Sequence, residues 1–409
     1  MKESLRAQVK SLLSEDEVIQ ITQELIRIPS HPETPDREKE IANYLYTLFQ
    51  KEGIQAELQI VKDDTPNIIA TLKGNQNASA GAKSLMLNGH IDTVAPVGMD
   101  KPYDPVIKDG ILYGRGACDM KAGVAAMAYA LILLHRAKVQ LAGDLYFCGV
   151  IEEDCATSAG SRFVVENGPF ADYGIVGEPT QLKVVTAHKG IDYFCIKVRG
   201  VAAHSSKPTN GANAIYAAAE IVLKIESDLV SKYNAMHHPM LGAPTINTGL
   251  IQGSAASNKG FLLGTADTYA GTVADECDIY LDVRWTPQQS VDTIMQDLQE
   301  LCSKVTRDRI SIDVEYIPLP RPAVEVDADN NLVRAACAHA EMITGEKQEP
   351  VSAGFWTDAG LFYGLRGIPT IVCGPGDVSY AHGPDEQVKI GDISKAALLY
   401  AYTALDICI

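Results

Sequence analysis

The stretch GDLYFCGVIEED, residues 143–154, combines the two features that decide the fold. Its apolar run from Tyr146 to Ile151 is typical of a buried strand. Three acids, Glu152, Glu153 and Asp154, follow this run at once. Because buried like charges are costly without compensation, we expect these acids to meet positive charge where the strand ends.

The same kind of apolar run recurs on both sides of this stretch. SLMLNGHID at residues 84–92 and YGIVGEP at residues 173–179 also pass from apolar to polar residues. GRGACDMKAG at residues 114–123 is a Gly-rich turn that opens a long, Ala-rich helix. Strands that alternate with helices predict an α/β fold with a mostly parallel central sheet.

The pattern changes after Lys183. GIDYFCIKVRG at residues 190–200 and CDIYLDVRW at residues 277–285 alternate like half-buried strands, and predicted helices lie between and after them. PTIVCGPG at residues 369–376 then resumes the first pattern. We therefore predict that a smaller α+β domain interrupts the first domain. The predicted ranges are 1–187 and 319–409 for the first domain and 188–318 for the inserted one.

The composition limits the class of protein. A net charge of −17 over 409 residues argues against nucleic acid and anionic membranes as partners, since both select basic patches. No apolar run is long enough for a membrane span, and the N-terminal residues lack the apolar region of a signal peptide. Nine cysteines without C-x-x-C spacing are typical of reduced thiols. We therefore expect a cytoplasmic protein.

Polar residues at the ends of the predicted strands form the candidate site. Ligands of open α/β sheets bind beyond the carboxyl ends of the strands. One polar residue at such a place is more often a helix cap, but several at equivalent places indicate a site. The set contains His90, Asp92, Asp119, Glu152, Glu153, Glu178 and His382.

The chemistry of this set indicates metal ions. Two imidazoles and several carboxylates without a thiolate suit zinc, manganese or cobalt. The ligands exceed one tetrahedral shell, which predicts two divalent ions with one carboxylate between them. One further carboxylate must stay free to accept a proton from water. From the residues alone, Glu152 and Glu153 fit the two tasks in either order.

Five motifs in order along the chain resemble those of the M20 family of co-catalytic metallopeptidases. They are GHIDTV, GRGACDMKAG, GVIEED, GEPT and AHGPDE, which run from His90 to His382. That family includes acetylornithine deacetylases, succinyl-diaminopimelate desuccinylases, aminoacylases and glutamate-releasing carboxypeptidases. The resemblance implies a zinc-peptidase-like catalytic domain interrupted by a smaller α+β lid or dimerisation domain.

The resemblance also implies a role for each site residue. Two divalent ions are implied, with zinc as the first expectation and cobalt or manganese as alternatives. Asp92 orients an imidazole ligand, and Glu152 acts as the general base. The implied metal ligands are His90 and Glu178 for one ion, Glu153 and His382 for the other, and Asp119 as the bridge.

The inserted domain carries three further residues that the resemblance singles out. His204 is implied to stabilise the oxyanion in a partner subunit, which predicts a homodimer. Asn258 is implied to lie near the substrate, and Arg284 is a candidate to bind a substrate carboxylate through two hydrogen bonds. Without the resemblance, His204 is better explained as a polar residue in a Ser- and Pro-rich turn.

Three functions remain open at this point. The first is a metal-dependent hydrolase that cleaves the amide bond of an N-acyl amino acid, a deacetylase or desuccinylase, which GEPT favours. The second is a dipeptidase or carboxypeptidase, which shares the chemistry and differs only in its substrate pocket. The third is a non-catalytic binding protein with this fold, which would lack ligands, whereas every implied ligand is present in the sequence.

Overall fold

The computed structural model describes residues 2–75, 81–155, 157–255 and 271–409, and it divides the chain into two units. The inserted domain was predicted to end at residue 318. The corresponding unit extends to Ala323, because the strand Ser311–Arg321 continues past the predicted end. Unit 1 contains Met1–His188, Val324–Ala353 and Thr357–Ile409, and unit 2 contains Lys189–Ala323 and Gly354–Trp356.

The helices of the described residues are numbered in chain order. They are α1 (Lys2–Ser11), α2 (Glu15–Arg27), α3 (Lys39–Glu52), α4 (Lys121–Arg136), α5 (Ala159–Asn167), α6 (Ala214–Lys224), α7 (Ser231–Asn234), α8 (Val291–Ser303), α9 (Asn331–Thr344), α10 (Ala359–Arg366) and α11 (Ile390–Ile407). Helices α6, α7 and α8 belong to unit 2, and the others belong to unit 1. A π-helical segment, Ile225–Val230, joins α6 to α7.

The strands are numbered in the same way. They are β1 (Gln55–Lys62), β2 (Thr65–Leu72), β3 (Leu85–His90), β4 (Val106–Lys108), β5 (Ile111–Tyr113), β6 (Leu145–Val150), β7 (Tyr173–Val176), β8 (Val185–His188), β9 (Gly190–Arg199), β10 (Thr245–Ser254), β11 (Glu276–Trp285), β12 (Ser311–Arg321), β13 (Val324–Glu325), β14 (Val351–Ala353), β15 (Thr370–Val372) and β16 (Gln387–Lys389). Strands β9 to β12 belong to unit 2, and the others belong to unit 1.

The large sheet of unit 1 has a parallel centre and antiparallel edges. Its strand order is β1-β2-β6-β3-β7-β15-β8-β13, with β14 paired to β8. Strands β6, β3, β7 and β15 run parallel to one another. This centre matches the sheet that the apolar runs predicted. Strands β4, β5 and β16 form a separate small antiparallel sheet.

Helix α4 packs unusually close to the central sheet. Residues 121–134 of this helix are all buried. A Cβ atom at Gly123 would lie 2.2 Å from the carbonyl oxygen of Gly177, so glycine is required for the close approach. The start of α4 therefore lies against the end of the segment that leads into Glu178.

Unit 2 is built on an antiparallel sheet with the order β10-β11-β9-β12. Alternate residues of β11 are buried, as expected for a sheet with one covered face. Its apolar core joins residues of β9 and β11 to those of α6 and α8. Among the described residues of the whole chain, no helix combines the length and apolar character needed to cross a membrane.

Asp406, near the end of α11, contacts residues of α1 and α9. Its Oδ1 accepts a hydrogen bond from Arg6 Nη2 of α1 at 2.7 Å, and His339 Nε2 of α9 lies 2.8 Å from its Oδ2. Burial raises the pKa of Asp406, but the hydrogen bond with His339 and the charges of His339, Arg6 and Lys2 outweigh it. The net effect lowers the pKa of this carboxyl below its ordinary value of 3.8.

We predict that Asp406→Asn lowers the melting temperature at pH 7, because the ionised carboxylate has these partners only in the folded state. Because the pKa of Asp406 is lower in the folded state, its ionised carboxylate stabilises the fold above pH 3.8. This stabilisation is lost as the pH falls below 3.8 and through the lower pKa of the folded state. Thermal unfolding at a series of pH values should therefore show the two proteins converging in acid. A constant difference throughout would contradict the prediction.

Candidate metal centre

Three adjacent parallel strands bring the candidate ligands together. His90 is the last residue of β3, Glu178 lies two residues beyond the end of β7, and Asp154 lies four beyond the end of β6. Because parallel strands end at the same edge of a sheet, these side chains converge there. Asp119 joins them from the turn that precedes α4.

The carboxylate of Asp119 lies between the two imidazoles. Its Oδ1 is 3.0 Å from His90 Nε2, and its Oδ2 is 3.3 Å from His382 Nε2. His90 is 1% exposed and Asp119 is 9% exposed. One carboxylate whose two oxygens face two different imidazoles has the arrangement required of a bridging ligand.

Each imidazole also lies near a second carboxylate. His90 Nε2 is 3.6 Å from Glu178 Oε1, and His382 Nε2 is 3.1 Å from Asp154 Oδ1. The donor atoms within each group lie within 4.8 Å of one another. The two groups are His90, Asp119 and Glu178, and Asp119, Asp154 and His382. They share Asp119, as a centre for two ions requires.

Glu152 does not face this centre. Its Oε1 lies 2.9 Å from Arg37 Nη1 and 3.2 Å from Lys62 Nζ, and its Oε2 accepts a hydrogen bond from Thr157 at 2.6 Å. The residue has a φ of 60°, so the chain turns out of the extended conformation here. The carboxylate of Glu152 therefore lies among cationic side chains and not beside the imidazoles, where its predicted role as general base would place it.

The two acids after this turn have the positions that were expected one residue earlier. Asp154, and not Glu153, has the ligand position beside His382. The carboxylate of Glu153 lies within 4.8 Å of donor atoms of His90 and Asp154. The prediction placed Glu153 beside His382, and the structure places Asp154 there.

Asp92 holds the loop at Glu153 and Asp154 and also contacts the imidazole of His90. Its Oδ1 and Oδ2 accept hydrogen bonds from the backbone N–H groups of Glu153 at 3.1 Å and Asp154 at 3.0 Å. His90 Nδ1 lies 3.1 Å from the carbonyl oxygen of Asp92 and 3.4 Å from its Oδ1. We assign the proton of His90 to Nδ1, which would leave the lone pair of Nε2 free to bind a metal ion.

The electrostatics of the centre favour bound cations. Burial and the charge of Asp119 raise the pKa of Asp154 to about 6. Burial followed by the charge of Asp119 also raises the pKa of Glu178 well above its ordinary value. For Glu153, burial and then the charge of Asp358 raise the pKa well above the ordinary value. Divalent ions beside these carboxylates would instead stabilise their charged forms.

The donor set fits two divalent ions. Ionised Asp119, Glu153, Asp154 and Glu178 together carry four negative charges, which two divalent ions would balance. The donors are imidazole nitrogens and carboxylate oxygens, and the groups that contain an imidazole include no cysteine. This combination suits zinc, cobalt or manganese and disfavours metals that require thiolate ligands.

The three predicted residues of the inserted domain are placed as follows. His204 is exposed, and its Nδ1 accepts a hydrogen bond from the backbone N–H of Ser206 at 3.1 Å. Arg284 donates two hydrogen bonds to Asp282, at 2.7 Å and 3.0 Å. Asn258 lies outside the described residues. The substrate roles implied for all three therefore stay predictions.

Other charged residues around the centre were not in the candidate set. Asp358 is 1% exposed and accepts a hydrogen bond from Ser161 at 2.6 Å, and its charge acts on Glu153. Glu386 and Arg115 form a buried ion pair at 2.5 Å. Both members of this pair lie inside motifs that carry ligands, GRGACDMKAG and AHGPDE, so their charge was a signal available in the sequence.

We predict that Asp92→Ala weakens metal binding by about 10- to 100-fold, because the loop at Glu153 loses its acceptor. The ring of His90 also loses the Oδ1 that lies 3.4 Å from its Nδ1, while the backbone carbonyl at 3.1 Å remains. Competition with a chromophoric chelator would measure the affinity. Asp172→Ala is the matched control, since Asp172 also accepts a backbone hydrogen bond, from Ser84, but lies in none of the ligand groups. Equal affinity in the two variants would contradict the assigned role.

The chain is similar to known proteins in sequence and in fold. The sequence profile of Peptidase family M20/M25/M40 matches residues 86–406. The chain is 29% identical to acetylornithine deacetylase from Proteus mirabilis (strain HI4320), over 96% of this chain and 97% of that protein. It is 30% identical to N-formyl-4-amino-5-aminomethyl-2-methylpyrimidine deformylase from Bacillus subtilis (strain 168), over 92% of this chain and 91% of that protein.

A solved structure shares the fold. The Bacillus subtilis YXEP protein, a dinuclear metal binding peptidase from the M20 family, aligns with a TM-score of 0.71 and 17% identity. The alignment covers 96% of this chain and 98% of that chain. The family profile spans most of the sequence, and it includes every residue of the metal centre described above. The chain therefore belongs to peptidase family M20/M25/M40.

Proposed function

We propose that this protein is a dinuclear metal hydrolase that cleaves the amide bond of N-acyl amino acids. Membership of the family supports amide hydrolysis, and the deacetylase and deformylase relatives support an acylated substrate. The single observation that carries the proposal is the carboxylate of Asp119, whose two oxygens face His90 and His382. The proposed ligands are His90 and Glu178 for one ion, Asp154 and His382 for the other, and Asp119 between them.

The bound ions would polarise the amide carbonyl and lower the pKa of the attacking water. Zinc is our first choice for both ions, with cobalt or manganese as alternatives, because these metals accept mixed nitrogen and oxygen ligands. Hydrogen bonds within the chain hold the proposed ligand residues in place without the metal ions. Asp92 is central to this, because it contacts both His90 and the backbone of Asp154.

Glu153 is the proposed general base. Its carboxylate would accept a proton from the attacking water and deliver that proton to the leaving amine nitrogen. The hydrogen bond from its backbone N–H to Asp92 Oδ1 holds the residue in place. Its side chain lies in one group with His90 and Asp154. An acid in this position can exchange protons with reacting groups at the centre without being needed as a ligand.

A dipeptidase or carboxypeptidase is the alternative. Such an enzyme would use the same metal centre and differ in the groups that bind the substrate amine or carboxylate. Support for this alternative comes from the M20 peptidase that shares the fold. The deciding experiment is a hydrolysis screen in which metal-free protein is loaded with zinc, cobalt or manganese. N-acetyl, N-succinyl and N-formyl amino acids would be compared with dipeptides.

The N-acyl amino acids should be hydrolysed faster, and only with added metal. Faster hydrolysis of dipeptides would replace the proposed substrate class with the alternative. A folded preparation that binds metal and hydrolyses none of these substrates would reject both. A folded preparation that binds no metal would favour a non-catalytic protein with this fold.

We predict that Glu153→Gln lowers kcat by about 10²- to 10⁴-fold while both metal ions still bind, since the amide cannot accept the proton. Glu152→Gln is the matched control one residue away. It should keep near-normal kcat and lower the melting temperature, because the charge paired with Arg37 and Lys62 is lost. Steady-state kinetics and metal analysis of both variants would test the pair. The reverse order of effects would restore Glu152 as the base.

We also propose a homodimer formed through unit 2. Strand β10 is at the edge of its sheet among the described strands, and Leu250 and Ile251 on it are 52% and 45% exposed. Leu223 and Tyr216 of α6 are 65% and 64% exposed. Exposed strand edges and apolar side chains of this kind are typical of surfaces that pair with another chain.

We predict that Leu250→Lys converts a dimer to a monomer in sedimentation or light-scattering measurements, because a charge would be buried in the interface. Val97→Lys is the control, since Val97 is 81% exposed in unit 1. A wild-type protein that is monomeric and fully active at micromolar concentration would contradict the dimer. The same result would exclude a role for His204 across subunits.

A further inference from the structure

Arg115 and Glu386 form an ion pair that the proposed reaction does not use. Arg115 Nη1 lies 2.5 Å from Glu386 Oε2, and the two residues are 1% and 0% exposed. Neither residue belongs to the groups of possible metal ligands among the described residues. A buried ion pair is a costly way to stabilise a fold, so its placement requires an explanation in terms of what it holds.

Glu386 holds the backbone of the segment that carries the bridging carboxylate. Its Oε1 accepts hydrogen bonds from the backbone N–H groups of Cys118 and Asp119, both at 2.9 Å. Its Oε2 accepts a further bond from the backbone N–H of Gly116 at 3.1 Å, beside the one from Arg115. One carboxylate therefore fixes the path of residues 115–119, up to the backbone of Asp119 itself.

Arg115 holds a second segment that carries a ligand. Its Nη2 lies 3.4 Å from the carbonyl oxygen of His382 and 3.4 Å from that of Gly383. The same guanidinium is bonded through Nη1 to Glu386, which follows His382 by four residues. The pair thus connects the backbone at Asp119 with the backbone at His382.

We propose that Arg115 and Glu386 are positioning residues that set the separation between Asp119 and His382. They would thereby determine the affinity and coordination geometry of the ion that these two ligands share with Asp154. This inference rests on the proposed function, because it requires bound metal. Charged partners in a buried site orient ligands well, since hydrogen bonds to a charged group are strong where water is excluded.

A purely structural role makes a different prediction. If the ion pair only stabilised the fold, breaking it would lower the stability of the protein and leave metal binding unchanged. Asp406 supplies the comparison, because it also accepts hydrogen bonds from an arginine, Arg6, and lies near a histidine, His339, but belongs to none of the ligand groups. Asp406→Asn therefore controls for the loss of a partly buried ion pair in the same unit.

The test uses cobalt(II), whose visible absorption reports coordination geometry independently of activity. Wild type, Glu386→Ala, Glu386→Gln and Asp406→Asn would each be titrated with cobalt. In Glu386→Ala we expect one of two ions to bind about 10- to 100-fold more weakly, with a changed spectrum. Glu386→Gln keeps one side-chain oxygen as an acceptor, so it should recover part of the affinity. Asp406→Asn should match wild type in both readouts.

Wild-type affinity and spectra in both Glu386 variants would overturn the inference, even if the variants melt at lower temperature. If Glu386→Ala does not fold, Arg115→Lys takes its place. The lysine keeps the charge but cannot reach Glu386 and the His382 carbonyl together, so one ion should again bind more weakly. Wild-type binding in both Arg115→Lys and Glu386→Gln would overturn the inference. A wild-type protein that binds no cobalt would reject the proposed function itself.

Discussion

The constraint on which the site depends is the convergence of four carboxylates at one edge of a parallel sheet, where Asp119 and Glu178 are buried. Asp119, Glu153, Asp154 and Glu178 converge there because the central strands end together. Their mutual repulsion in a poorly solvated place must be offset, and two imidazoles alone do not supply four positive charges. Two divalent cations satisfy the balance, and the shared position of Asp119 between the imidazoles divides the donors into two groups.

Two further acids support this centre from outside it. The carboxylate of Asp92 accepts hydrogen bonds from the backbone N–H groups of Glu153 and Asp154. The carboxylate of Glu386 accepts hydrogen bonds from those of Cys118 and Asp119. In both cases a buried carboxylate is satisfied by main-chain donors, and the loop it binds delivers a residue of the centre. In the proposed centre some carboxylates therefore serve as metal ligands, and others fix the loops that hold these ligands.

The sheet and most of the ligands could be predicted because they follow from local patterns. Apolar runs predicted the parallel strands, and the polar residues at their ends include His90 and Glu178. Which of the three acids after β6 takes which proposed role could not be predicted in this way. It depends on the positive φ of Glu152 and on Arg37, which lies more than 100 residues earlier in the chain. Unit 2 extends to Ala323, past the predicted residue 318, because strand β12 runs on to Arg321.

The three consecutive acids after β6 thus differ by their partners and not by their chemistry. Glu152 is neutralised by Arg37 before the chain turns, which removes it from the centre. Asp154 lies beside His382, where a metal ion would hold its charge. Glu153 has a backbone fixed by Asp92, and its carboxylate is the one that we propose as the acceptor of a proton. A shift of one residue in this loop would exchange the proposed roles, so the proposal requires the hydrogen bonds that fix the loop as much as the acids.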